Sequence, residues 1–137
     1  MFISISAVEK FAGVSPNKLY HMILDGAQLA AATGAEAQSS PEVGTTYFAY
    51  NGYCHGHNLH LVPNELIVQT WQGQGYVEHD SIVVMRLEAD GDDTRLYLTH
   101  ANLTPDQARD MAADWQDYYW SKFRAYLAAQ VANPVSA

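Results

Sequence analysis

The first pattern in the chain has a period of two. Ile3, Ile5 and Ala7 alternate with Phe2, Ser4 and Ser6, so residues 2–8 are predicted to form a strand. The period then lengthens. Ser15 is a good N-cap, Pro16 suits the first helical position, and Leu19, Met22 and Ile23 follow at helical spacing. That predicts a helix broken near Gly26, with a second short helix over 27–32 that ends at Gly34. Residues 34–44 read as loop or a weak edge strand.

From Gly44 the pattern is that of strands. Runs at 45–50, 53–62, 66–71, 80–89 and 94–101 are rich in β-branched, aromatic and alternating residues. Asn51-Gly52 is a favoured two-residue hairpin turn, Pro63-Asn64 another turn, 72–76 a Gly-rich loop, and Asp90-Gly91-Asp92-Asp93 a hairpin tip. Thr104 then opens a long helix with Pro105 at its first position and Gln107 completing a capping box. On a wheel, Ala108, Met111, Ala112, Trp115, Tyr119, Phe123 and Tyr126 share one face, and Trp120 and Leu127 flank it. Asp110, Asp114, Asp117 and Ser121 lie opposite, and the helix is predicted to end before Asn133-Pro134. Strands grouped together with helices segregated indicate an α+β fold, in which a curved antiparallel sheet covers the apolar face of the helix. A single domain over 1–132 is expected, with 133–137 as a tail.

Composition narrows the function classes. The 137 residues carry a net charge of -8 with only seven Lys plus Arg, and no basic run occurs. Nucleic acid and membrane insertion are therefore not expected. No basic segment precedes an apolar one at the start, so a cytoplasmic protein is expected. Nine Tyr and three Trp supply large side chains able to line an interior. No G-x-S-x-G elbow, phosphate loop or H-E-x-x-H is present, and no cofactor is expected.

The ordered motifs resemble a known family. "NGYCHGHNLHLVPNELIVQTWQ" is similar to a pattern filled here by Gly52, Gly56, Asn58, Leu61, Pro63, Ile67, Val68, Gln69 and Trp71. Thr94, Leu96, Leu98 and His100 resemble its T-x-L-x-L-x-H strand, and Trp115, Tyr118, Tyr119, Tyr126 and Leu127 its closing helix. The family is that of homologues of the activator of heat-shock protein 90 ATPase, within the START-like, or SRPBCC, superfamily. The resemblance spans nearly the whole chain. It implies a helix-grip fold with two short helices after the first strand and a gap between sheet and long helix that often forms an apolar cavity. Gln72 stands where the family usually has Arg, and His55, His57 and His60 stand where apolar, cavity-facing residues are usual.

The candidate chemistry follows from these placements. "CHGHNLH" holds three of the six histidines and the single cysteine within seven residues. Alternation puts His55 and His57 on one face and Cys54, Asn58 and His60 on the other. His55 and His57 are thus the only metal-ligand candidates as a pair, two where a site needs three or four. His79 and His100 are the histidines that could add a third. Thr94, Leu96, Leu98 and His100 share a face that the resemblance turns toward the helix. With Trp71, Tyr76, Trp115, Tyr119 and Phe123 they form the expected ligand-binding set, an apolar wall with a few polar points. The occupant expected is a small hydrophobic or aromatic molecule. A chaperone-linked interaction module and a cyclase- or hydrolase-like enzyme with His100 as base are the alternatives. Catalytic residues are unassigned, and homodimerisation is left open.

Overall fold

The computed structural model describes residues 1–73 and 79–132, the last two by their backbone alone. Strand β1 (Ile3–Phe11) leads into α1 (Pro16–Leu24) and α2 (Gly26–Thr33). Five strands follow: β2 (Thr46–Ala49), β3 (Cys54–Val62), β4 (Leu66–Gly73), β5 (Ser81–Asp90) and β6 (Asp93–Leu103). They form one curved antiparallel sheet in the order β1-β6-β5-β4-β3-β2. The C-terminal helix comprises α3 (Pro105–Asp114), a π turn (Trp115–Trp120) and α4 (Ser121–Ala132). This is the α+β helix-grip arrangement that the patterning and the resemblance predict. Among the described residues no helix is long and apolar enough to cross a membrane.

Local chemistry sets the element ends. The Ser15 side chain accepts from the Lys18 N–H, Asp25 caps α2 in the same way, and Gly34 ends α2 in the left-handed region at φ 79°. The Thr104–Gln107 capping box is complete in both directions. Residues 34–44 pair with the sheet at an isolated bridge, Gln38 to Phe48, and the Gly44 N–H bonds the Asn58 carbonyl at 2.8 Å.

Two departures from the expected elements shape the site. The hairpin between β2 and β3 is not a two-residue turn. Ala49 pairs with Cys54, and Tyr50, Asn51 and Gly52 are all left-handed, at φ 52°, 60° and 93°. The long helix is also not α-helical throughout. At the π turn the Ser121 N–H bonds the Gln116 carbonyl, an i→i−5 step. In an α-helix, residues five apart point roughly 140° apart, at about 100° per residue. The π turn instead brings Trp115 and Trp120 face to face, with centroids 5.2 Å apart and planes within 18°. Trp120, on the flank of the predicted wheel, is therefore fully buried, while Ala112 is exposed.

Polar side chains on the inner face of the sheet hold the loops. Asn58 donates to the carbonyls of Ser40 (2.7 Å) and Glu42 (3.1 Å) and accepts from Gln69 (2.9 Å). Thr94 donates to the Val14 carbonyl at 2.6 Å and so fastens the β1–α1 connection to β6. Arg124 ties α4 to β1 through Glu9 and the Lys10 carbonyl, both at 2.8 Å.

Gly56 is required by close approach. A Cβ there would lie 2.0 Å from the Thr70 carbonyl oxygen. That oxygen accepts from the Tyr47 hydroxyl at 2.6 Å, while Thr70 Oγ1 accepts from the His57 N–H at 2.8 Å, taking a place in the β3–β4 ladder. Gly56→Ala must push the two backbones apart, and should cost at least about 2 kcal/mol in urea unfolding. An unchanged midpoint would show that the strands separate freely here.

Candidate functional site

At the centre of the sheet–helix interface sits His100, fully buried. The Trp115 indole N–H donates to its Nδ1 at 3.0 Å, so the ring proton is on Nε2. Nε2–H donates to Ser81 Oγ at 2.8 Å, and the Ser81 hydroxyl donates to the Trp71 carbonyl at 2.7 Å. Every donor in this chain has an acceptor, and both ring nitrogens of His100 are engaged within the protein. Burial lowers the His100 pKa to about 4, so the imidazole is neutral at physiological pH.

A cavity lies beside this cluster, where the β2–β3 hairpin meets the π turn. Its volume is about 420 Å³. The hairpin contributes Tyr50 and Tyr53, the strands contribute Cys54 and Trp71, and the helix contributes Met111, Asp114, Tyr118 and Tyr119. Tyr53 and Tyr118 form the exposed rim, at 42% and 51%. The Tyr50 hydroxyl donates to the Tyr118 carbonyl, joining hairpin to helix across one side. Deeper in, Tyr119 Oη lies 2.8 Å from Cys54 Sγ, whose thiol lies 3.8 Å from the Ala49 carbonyl. Burial pushes the Cys54 thiol up, against an opposing hydrogen bond from Tyr119. Burial likewise raises Tyr119, with the neighbouring sulfur adding to it. Asp114 is half-buried and its carboxyl is also raised, first by burial and then by Asp110 and Asp117. A second void, between Ile23, Tyr47, Met85, Trp115 and Phe123, measures only about 30 Å³, room for little more than water.

The residues expected to bind a ligand separate into three groups. Trp71 and Tyr119 line both voids, and Trp115 and Phe123 line the small one. Leu96 and Leu98 are core, while Thr94 and His100 are spent on the loop and helix bonds above, so these four back the core rather than the larger cavity. Tyr76 lies outside the described residues. Tyr50, Tyr53, Cys54, Met111, Asp114 and Tyr118 were not among the expected ligand-binding set. Asn51-Gly52 marked the hairpin, but nothing in the pattern signals the π turn that aims Tyr118 and Tyr119.

The histidine-rich strand is placed differently from the expectation. His55 and His57 are exposed on the outer face, away from the cavity, while Cys54, Gly56 and Asn58 face inward. A bulge between Asn58 and His60 breaks the alternation, so His60 is exposed too and does not share the inner face with Cys54. His79 bonds the Asn102 carbonyl at 2.8 Å and packs on Phe2. Among the described residues no group of three or more His, Cys, Asp or Glu is placed to hold a metal ion.

The fold and motifs coincide with a known family model. That of the "Activator of Hsp90 ATPase homolog 1-like protein" matches residues 13–128. The chain belongs to this family. No curated protein matches it. Among solved structures, an HSP90 activator from Plasmodium falciparum is 20% identical, covers 92% of this chain and 96% of its own, and has a TM-score of 0.85. Protein MLL2253 from Mesorhizobium loti is 18% identical over 92% and 97%, with a TM-score of 0.75. An Aha1 dimer from Colwellia psychrerythraea is 19% identical over 92% and 91%, with a TM-score of 0.68. At these identities the likeness is one of fold.

Within this family member the buried His100 predicts a pH response. Its folded pKa of about 4 is below the ordinary 6.5, so the unfolded chain binds the extra proton first. The stabilisation is complete above pH 6.5 and is lost as pH falls toward 4, about 3 kcal/mol in all. Urea unfolding across that window should show the decline, and His100→Gln should flatten it. An equally steep decline in the variant would assign the effect to other groups.

Proposed function

We propose that the protein binds a small hydrophobic or aromatic molecule, and that the site is the cavity at the π turn rather than the interior of the grip. The observation that carries this reading is a 420 Å³ space with five aromatic walls, within the roughly 300–1,000 Å³ range of ligand pockets. Two further features support it. A π turn interrupts the helix where it meets the cavity, a distortion frequent at functional sites. The opposite wall starts from Tyr50, a bulky residue held at φ 52°, a conformation that costs about 1–3 kcal/mol and persists only where its surroundings demand it.

A thermal-shift panel of neutral, cationic and anionic aromatic compounds tests the proposal. A ligand at about a hundred times its Kd should add roughly 2.7 kcal/mol and raise Tm on the order of 10 °C. Tyr118→Ala, at the exposed rim, should weaken that ligand about tenfold while leaving the free protein's Tm nearly unchanged. A panel without any shift would remove the support.

A second reading has its own observation. The similarity of fold to an HSP90 activator extends over nearly all of both chains, which favours a co-chaperone-like interaction module. Stimulation of heat-shock protein 90 ATPase turnover by stoichiometric protein is the expected result, and an unchanged rate at saturating protein counts against it.

A further inference from the structure

The chemistry of the cavity walls says more about its occupant than its volume does. We propose that the occupant is a small organic cation, an amine or a quaternary ammonium group on a compact apolar body, held by tyrosine faces with Asp114 as counter-charge. This rests on the reading that the cavity binds a ligand.

Ring geometry is the first observation. The Tyr50 plane stands at 80° to Tyr118, with centroids 5.6 Å apart, and at 88° to Tyr119, with centroids 5.9 Å apart. Walls at right angles make a corner that surrounds a rounded group. They do not make the parallel slot that a flat fused ring would fill. Aromatic faces carry negative quadrupole potential, and corners of this kind recognise alkylammonium groups.

Hydrogen-bonding capacity is the second. The Tyr119 hydroxyl is engaged with Cys54 and the Tyr50 hydroxyl with the Tyr118 carbonyl. The inner tyrosines therefore offer the cavity ring surface rather than free donors, which disfavours a polar neutral guest.

Charge is the third. Among the described residues Asp114 is the one formally charged residue on the cavity wall, and no lysine or arginine lines it. Asp114 has no ion-pair partner among the described residues, whereas Asp90, Asp93, Asp106 and Asp110 each face a cation. A neutral ligand that covered this half-buried carboxylate would strip its water without replacement, at a desolvation cost. A cation would compensate the charge as it displaced the water. An anion would meet both this carboxylate and a chain of net charge -8. The raised Asp114 pKa agrees with a carboxylate that lacks a compensating partner.

Two probes of nearly the same shape separate charge from size: para-hydroxyphenyltrimethylammonium and para-tert-butylphenol. Each carries one methyl singlet, followed by proton NMR as the full-length protein is titrated. The cation should bind about tenfold more tightly, with its methyl signal moved upfield by the ring faces. Asp114→Asn should reduce that preference to about threefold or less, by weakening the cation and leaving the phenol bound as tightly or more tightly, with the Tm within a degree or so of the parent. Equal or tighter binding of the phenol would overturn the cation assignment and leave the cavity reading standing. Undiminished preference in Asp114→Asn would overturn the role of the carboxylate. Binding of neither probe would overturn the cation assignment, while the compound panel decides the cavity reading on its own.

Discussion

The Trp115 indole N–H has one acceptor, Nδ1 of His100, and this bond sets where the long helix rests on the sheet. Its geometry forces the imidazole tautomer, since Nδ1 must offer a lone pair and the proton must sit on Nε2. Ser81 takes that proton in a hydrogen bond and passes its own to the Trp71 carbonyl, so strands β4, β5 and β6 are tied to the helix by one chain of bonds. Because the chain is buried and fully paired, breaking any member leaves a buried polar group unsatisfied. The imidazole that looked like a catalytic base is thereby occupied at both nitrogens.

The π turn begins at the residue so anchored. With Trp115 held on the sheet, one extra residue in the turn rotates everything beyond it, so that Trp120 at the end of the turn and Phe123 and Leu127 of α4 are buried. The same rotation brings Tyr118 and Tyr119 toward the β2–β3 hairpin. There the left-handed run Tyr50–Gly52 meets them, and the Tyr50 hydroxyl closes onto the Tyr118 carbonyl. Two irregular backbone segments, one on each side, thus frame the cavity, while the void between Tyr47, Met85, Trp115 and Phe123 inside the grip measures only about 30 Å³.

Polar residues on the inner face of the sheet follow a related logic. Asn58, Gln69 and Thr94 are buried, and each spends its donors or acceptors on a loop or a neighbouring strand. An alternating inward polar residue is therefore no sign of a ligand by itself. What distinguishes the cavity is its lining, the half-buried Asp114 carboxylate among five aromatic side chains around a space of about 420 Å³.

The pattern of the chain determined the element order, the caps and the α+β class, because these depend on local periodicity and on which residues tolerate helix ends and turns. The motif order carried the family. Gly56, Asn58 and Thr94 were visible as motif positions, but their reasons, a close strand approach and two loop anchors, are tertiary. The cavity was legible only through Trp71 and Tyr119. A wheel drawn at α-helical pitch cannot show a π turn, so Asp114 fell on the polar side, Trp120 on a flank, and Tyr118 on neither named face. Strict alternation cannot show the bulge after Asn58, so His60 was assigned to the wrong face. Both irregularities exist because the packed sheet and helix stabilise them, and that stabilisation comes from contacts between residues far apart in the sequence.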